Sequence, residues 1–568
     1  MQYLFCVIFS IIAYLTLAQQ TNEKPSEYLI QDSVFIPTRS GINISATIVR
    51  KKNHNEPLPA VLFHTTYHQG ASDANFAKRS ADRNYVGIVS YTRGIRTDID
   101  NYKPYENDGA DLYDIVDWIS KQPWCTGSVG MFGGSYTGFS QWATVKNIHP
   151  ALKTIVPQVA VMPGFDTPME NNVQMNLGLY WPHNSIYKKE PLPQSLPFEW
   201  FEQGSSFKDL DSLAGYRNPI FQHWLAHPAY DGYWQSLVPT AGEYAKINIP
   251  ILSTTGYYDG SQIGALQYFK LHYKYNKNAN HYFVIGPYDH WGAQRKPTKS
   301  LMGYKIDSIA NVNMMELAYD WLDYILKNGS KPDLLQDKVN YQVMGTNEWK
   351  HAPSLNDINN DTLTFYLNNG SLANKKPANA AFQKHIVDFK DREDQNNFFT
   401  PEIMFDTLDA SGGLIFNSEI FDNDFSINGS FMGNLFATIN KKDMDVSLAL
   451  YERMPDGKYF FLTRYIGRAS YAQDNTKRRL LKPGKKECIP FDNTRFVSKK
   501  ISKGSRLVVL LNTNKHPFEI INYGSGKEVS EESIKDAGEP LNIKWHNNSY
   551  IKIPIWKDKI AVDASFNE

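Results

Sequence analysis

Residues 130–142 read "GMFGGSYTGFSQW". The approach to them, "SVGMFG" (128–133), has the short apolar character of a buried strand. Gly133 and Gly134 follow, then Ser135, then a run from Tyr136 to Lys146 that suits a helix. A serine on a sharp turn between strand and helix, with glycines clearing the space around it, is the layout of a nucleophile elbow. The general elbow is G-x-S-x-G. Here Thr137 stands two after the serine and the glycine comes one later, at Gly138. A plain glycine-rich strand-to-helix turn reads the same way, so the rest of the chain has to supply the chemistry.

On either side of this stretch, strand and helix alternate. "YLIQDSVFIPTRSGINISATIVR" (28–50) predicts a strand pair turning at Arg39–Gly41. "PAVLFHTTYHQG" (59–70), "NYVGIVSYTRG" (84–94) and "TIVPQVAVM" (154–162) predict strands running into loops. "DGADLYDIVDWISKQ" (108–122) predicts an amphipathic helix with its aspartates on a solvated face. This is the pattern of a mostly parallel sheet wrapped by helices. From 163 to 245 strand runs give way to helical stretches rich in Trp, Tyr, Pro and His, which reads as an inserted lid. The sheet resumes with "IPILSTTGYYDG" (249–260) and "HYFVIGPYDHWG" (281–292), and the helix "NMMELAYDWLDYILK" (313–327) closes it. After about 345, short strands with turn signals, such as Pro455-Asp456-Gly457, predict a β-sandwich. The expected parts are an α/β domain over 28–162 and 246–345, a helical lid over 163–245 and an all-β domain over 346–568.

A chain of 568 residues predicts about two to four domains. Hydrophobic content of 42% and charged content of 21% are those of a folded chain, and a formal net charge of zero leaves no field to draw nucleic acid. "GSGKE" (524–528) is no phosphate loop, because Ile521 replaces its first glycine and Glu528 its Ser/Thr. The first 20 residues, "MQYLFCVIFSIIAYLTLAQQ", are apolar from Tyr3 to Ala18. That is short of the roughly 20 residues a membrane span needs. A signal peptide over 1–18 is expected, hence a secreted or periplasmic protein with no membrane association after cleavage. An uncleaved anchor is the alternative, since no Lys or Arg precedes the run. Cys125 and Cys488 then remain, too few for a disulfide framework.

A serine hydroxyl needs a base to take its proton and an acid to orient that base. In the α/β-hydrolase order the acid and then the base follow the serine on loops at one end of the sheet. Asp259 and His290 each follow a predicted strand, in that order. With 14 histidines in the chain, position rather than type is the argument. Asp289 reads as a loop charge. For the oxyanion, the backbone N–H of Tyr136 is one expected donor and the phenol of Tyr67, in "HTTYHQG" (64–70), the other. His64 and His68 are spaced i,i+4 but straddle a strand end with no third ligand, so no metal is expected, and no cofactor is needed.

"DLYDIVDWISKQPWCTGSVGMFGGSYTGFSQW" (111–142), "HPAYDGYW" (227–234), "GYYDG" (256–260) and "GPYDHW" (286–291) resemble the cocaine esterase-like and X-Pro dipeptidyl-peptidase-like serine hydrolases, from about residue 30 to 556. In that family the serine is followed by Tyr, a variable residue and Gly, so Gly138 is the family's own form. The resemblance implies an α/β-hydrolase domain, a helical lid and a C-terminal jelly roll. It also implies Ser135, Asp259 and His290 as triad, Tyr67 in the oxyanion hole, and a small-molecule ester or amide as substrate. The α-amino-acid ester hydrolases of the family hold a substrate ammonium with acids, one of which aligns at Gln69, so Gln69 points away from amino-acid esters. Trp181, Trp224 and Trp234 of the lid are candidates for an aromatic substrate pocket, with packing as the other reading. An X-Pro dipeptidyl-peptidase and an esterase for acylated carbohydrate are alternatives of the same chemistry. A catalytically silent binding protein is the alternative of another class, and the complete Ser, Asp, His and Tyr set argues against it.

Overall fold

The computed structural model describes residues 27–187, 190–393 and 402–558, so the apolar segment expected as a signal peptide lies outside the described residues. Ten strands form the first sheet: β1 (Tyr28–Pro37), β2 (Asn43–Lys51), β3 (Leu58–Thr65), β4 (Val86–Tyr91) and β5 (Cys125–Gly134), then β6 (Leu152–Gln158), β7 (Ile251–Gly256), β8 (His281–Gly286), β9 (Val339–Val343) and β10 (Glu348–Ala352). Their order is β1-β2-β4-β3-β5-β6-β7-β8-β9-β10. From β4 to β9 all pairs are parallel, while β1, β2 and β10 add antiparallel edges. The parallel strands are buried on both faces, as a sheet covered by helices must be. Met131 and Phe132, successive on β5, enter different apolar clusters: Met131 the one built with α2 (Asp108–Ser120) and α3 (Tyr136–Thr144), Phe132 the one built with α5 (Met314–Lys327). Two further helices flank this sheet, α1 (Ala74–Asp82) after β3 and α4 (Gln262–Tyr275) after β7. The hairpin β9–β10 carries the first sheet to Ala352, past the break expected at 345.

Between β6 and β7 the chain is helical, with short helices such as Leu196–Gln203, Pro219–Leu225 and Gly232–Leu237. Asn218 starts one of them by accepting from the N–H groups of Ile220 and Phe221, with Pro219 at the first helical position. One minimal hairpin also occurs there, Met169–Glu170 against Val173–Gln174, turned by Asn171 and Asn172 at φ +47° and +65°. From Asp361 onward the chain is β-rich. Its longest ladder pairs Asp445–Arg453 with Tyr459–Arg468 around the expected Pro-Asp-Gly turn, where Gly457 takes φ +91°. The architecture is an α/β-hydrolase domain with an inserted helical lid and a β-rich C-terminal domain. Cys125 and Cys488 are free thiols, and no described helix is long and apolar enough to cross a membrane.

One sequence expectation fails inside α2. Asp108 and Asp111 are buried rather than solvated. They stand one helical turn before Leu112 and Ile115, so they share the apolar stripe's register, and each has a partner that makes burial tolerable. Arg93 Nε donates to Asp111 Oδ2 at 3.0 Å, and Tyr136 and His64 serve Asp108.

Candidate active site

Ser135 sits at φ +63°, ψ −123°, at the N-terminus of α3. That backbone conformation costs a residue with a Cβ about 1–3 kcal/mol and persists only where the surroundings enforce it. Glycines make it possible. Gly133 has φ +133°, and a Cβ there would meet Thr137 Cγ2 at 2.3 Å. One on Gly134 would meet Gln294 Oε1 at 2.2 Å. Gly138 lets α3 lie against the chain leaving β6, since its Cβ would stand 2.8 Å from both Ala160 Cα and the Gln158 carbonyl oxygen. The displaced glycine of the motif is therefore the one the helix packs through. Ser135 N donates to Gln158 O, and its own carbonyl accepts from Gly138 N and Phe139 N, each at 3.0 Å. Buried Gln141 ties α3 to both neighbouring strands, donating to Gly133 O at 3.1 Å and accepting from Val156 N at 2.8 Å.

Asp259 and His290 come from the loops after β7 and β8. Asp259 Oδ1 accepts from His290 Nδ1 at 2.7 Å and from Ser261 N at 3.0 Å, and its Oδ2 accepts from Thr255 Oγ1 at 2.7 Å. Burial would raise the Asp259 pKa, but the imidazole's charge and hydrogen bond, with those of Thr255 and Ser261, hold it below the usual carboxylate range. Burial would lower the His290 pKa, and Asp259 outweighs it and leaves it raised. A carboxylate only accepts, so Nδ1 carries the proton and Nε2 is left as the basic nitrogen. Asp289 turns away from this ring and caps the loop, accepting from Trp291 N at 3.2 Å and Gly292 N at 2.7 Å.

Tyr67 closes the other side. Its hydroxyl accepts from Trp181 Nε1 at 2.9 Å and meets the Ser135 hydroxyl. Burial pushes the phenol pKa up, against those two hydrogen bonds, so Tyr67 keeps its proton at neutral pH. Tyr136 turns its side chain away from the site. Its hydroxyl donates to Asp108 Oδ2 at 2.8 Å and accepts from Tyr105 N at 3.1 Å, which leaves only its backbone N–H for an oxyanion. Behind it His64 bridges Ser90 Oγ (2.8 Å) and Asp108 Oδ1 (3.2 Å), while His68 pairs with Asp73 at 2.8 Å. The two histidines thus serve different carboxylates. Among the described residues no group of three or more His, Cys, Asp or Glu is placed to hold a metal.

Ser135, Tyr67, Tyr136, His290, Trp181 and Gln69 line one cavity of about 560 Å³. Phe63, Phe76, Val161, Met175 and Leu177 give it apolar walls. Trp224 and Trp234 do not line it and are 2% and 0% exposed, so of the two readings the sequence offered for them the structure has packing. Trp224 stacks behind Trp181, with ring centroids 6.0 Å apart, and Trp234 fills the space left by Gly164, where a Cβ would lie 2.2 Å from its Cγ. Residue type alone could not separate the layer that faces the cavity from the layer that supports it.

The cavity also receives charged residues that sequence reasoning missed: Glu170 of the lid hairpin and Arg464 and Arg495 of the C-terminal domain. Arg495 Nη1 donates to the Asp259 carbonyl and its Nη2 to Glu170 Oε2, both at 2.6 Å. The β-rich domain thereby holds the backbone of the acid loop. Glu170 Oε1 is buried with no partner. Nothing local marks these residues, because Glu170 and Arg495 are 325 positions apart.

Two family models match the chain: X-Pro dipeptidyl-peptidase (S15 family) over residues 40–292, and X-Pro dipeptidyl-peptidase C-terminal non-catalytic domain over 335–547. The cocaine esterase of Rhodococcus sp. (strain MB1 Bresler) is 22% identical over 93% of this chain and 99% of its own. Among solved structures, an aminopeptidase from a marine sediment Thaumarchaeota archaeon superposes with a TM-score of 0.80 at 20% identity, over 94% of this chain and 97% of its own. An α-amino acid ester hydrolase does so with a TM-score of 0.75 at 19% identity, over 95% and 100%. These likenesses extend over nearly the whole chain and show a shared fold. With an elbow serine in the first matched segment and the non-catalytic domain in the second, the chain belongs to the cocaine esterase-like and X-Pro dipeptidyl-peptidase-like family and is a serine hydrolase.

Proposed function

We propose that the protein cleaves a small ester or amide through an acyl-enzyme on Ser135. His290 Nε2 takes the serine proton as Oγ attacks the carbonyl carbon, and Asp259 stabilises the imidazolium that forms. The Tyr67 hydroxyl and the Tyr136 N–H donate to the oxyanion, and His290 then protonates the leaving group. Water repeats the sequence on the acyl-enzyme and releases the acid. The observation that carries this reading is the 2.7 Å bond from His290 Nδ1 to a buried Asp259, beside the cavity that holds the elbow serine and Tyr67. The apolar walls favour a compact apolar acyl group. The test is hydrolysis of a short-chain p-nitrophenyl ester by wild type and by Ser135→Ala, which should lose about 10³-fold or more in kcat. Equal rates would refute the nucleophile.

Glu170 favours a second reading, cleavage next to a free amino group. Its unpartnered buried oxygen faces the cavity and suits an ammonium donor. A faster rate on glycyl-prolyl-p-nitroanilide than on the simple ester would select it. The apolar run over residues 3–18 further supports export, and the amino-terminal sequence of protein recovered outside the cytoplasm tests that.

A further inference from the structure

A second cavity, of about 850 Å³ and larger than that at Ser135, lies where the lid, α4 and the C-terminal domain meet. The two share a wall. Along the lid segment Asp166, Thr167 and Glu170 face the serine, while Phe165, Asn171 and Asn172 face the second space. On the strand Tyr459–Arg468, Arg464 faces the first and Tyr465 the second, as successive side chains of a strand do.

The amides within this wall are used up. Asn171 Nδ2 donates to Ile466 O and Asn493 Nδ2 to Asn171 Oδ1, both at 2.8 Å, and Asn172 Nδ2 donates to Asn475 O at 2.9 Å. Other polar groups are not. Gln267, Lys270, Asp492 and Lys552 line the space with no side-chain hydrogen bond among the described residues, and Lys552 Nζ stands 5.8 Å from the centre of the Tyr550 ring. Lys270 is exposed and lines the space. Desolvation lowers its pKa, against the pull of Asp492. Rings are present as well: Tyr465 and Phe491 pack with centroids 5.2 Å apart, and the Tyr550 hydroxyl accepts from Asn434 at 2.8 Å, so its proton is free to donate.

Charge narrows the ligand class. Lys270 and Lys552 are matched by Asp474 and Asp492. Arg468 is engaged by Asp445 through bonds of 2.9 and 3.0 Å. The space therefore has no net charge to select an ion, and its open donors and acceptors penalise an apolar chain. A polyhydroxylated molecule, which donates and accepts at each hydroxyl and offers C–H faces to rings, matches both properties. The volume lies in the range of small-molecule sites, about 300–1,000 Å³. We propose that this cavity is a binding site for a neutral oligosaccharide, separate from the serine cavity and one wall away from it.

The test uses the full chain carrying Ser135→Ala, so that no turnover intervenes. Calorimetry with neutral trisaccharides of β-1,4-linked glucose, xylose, mannose and N-acetylglucosamine should find at least one that binds with a Kd of about 1 mM or tighter. Lys270→Met and Asp492→Asn should each weaken it about tenfold with an unchanged unfolding midpoint. Wild type labelled at Ser135 by a fluorophosphonate should bind as before. No binding of any probe up to about 10 mM overturns the proposal. So does binding that the label abolishes or that neither substitution weakens, since it then lies elsewhere. Failure of the label to attach counts against the hydrolytic reading and leaves the saccharide site to the binding data.

Discussion

A buried Asp259 and a half-buried His290 set each other's proton. Burial alone would raise the carboxyl pKa and lower the imidazole pKa, and their pairing at 2.7 Å reverses both directions. In the proposed mechanism His290 is the general base and must be neutral, so activity is expected to fall as pH drops through its raised pKa. The acid limb of kcat/KM is therefore expected to have its midpoint above pH 6.5, the ordinary value for a histidine. Asp259→Asn should cost about 10⁴-fold in kcat. It should also move the residual limb to lower pH, because burial and the charge of Arg295 are then opposed by Asp289 alone. Initial-rate profiles from pH 5 to 9 on a p-nitrophenyl ester measure both, and a wild-type midpoint at or below 6.5 would show that burial outweighs the carboxylate.

At the scale of elements, the elbow depends on how closely α3 lies against the chain leaving β6. Gly138→Ala places a methyl 2.8 Å from two backbone atoms, Ala160 Cα and Gln158 O, neither of which can swing aside. It is expected to destabilise by about 1–3 kcal/mol through a displaced helix and to lower kcat by moving the Tyr136 N–H. Gly242→Ala is the matched control. No atom lies within 4 Å of a Cβ there, in the helix Ala241–Tyr244, so stability should hold or rise by about 0.4–1 kcal/mol. Thermal unfolding of the two variants decides it, and equal midpoints would mean that α3 is free to shift. The elbow, its flanking strands and the order of Ser135, Asp259 and His290 were legible because short apolar runs and glycine punctuation are local signals. Asp108 and Asp111 were misread by charge alone, although their register with Leu112 and Ile115 pointed inward. Glu170, Arg464 and Arg495 carried no local signal, because only the packing of three parts of the chain brings them to one cavity.

Across the whole molecule, buried histidines couple the fold to pH in the direction opposite to His290. His272 and His281 meet Nδ1 to Nδ1 at 3.3 Å beside Trp142, and Ser253 Oγ meets His281 Nε2 at 2.8 Å. Burial brings His272 down to about 4 and His281 well below its ordinary value, with Lys338 adding to the latter. His385 of the C-terminal domain is likewise brought down to about 4. Unfolded chain takes up these protons near pH 6.5. Between about pH 6.5 and 4 the unfolded state thus binds more protons, so stability is present above that window and is lost as pH falls through it. His290, with its raised pKa, adds stability below pH 6.5 and loses it above, one group against five, since the pKa values of His351 and His546 are lowered too. For His272 alone the loss by pH 4 is on the order of 3 kcal/mol. Urea midpoints followed by tryptophan fluorescence should fall from pH 7.5 to 4.5, and His272→Gln should flatten that slope. A wild-type midpoint independent of pH would mean the pair is already charged in the fold. Because His290 takes its proton above pH 6.5 and the buried histidines theirs below it, the two losses separate. Near pH 6 the protein should be folded and mostly inactive, and full activity should return when the same sample is brought back to pH 8.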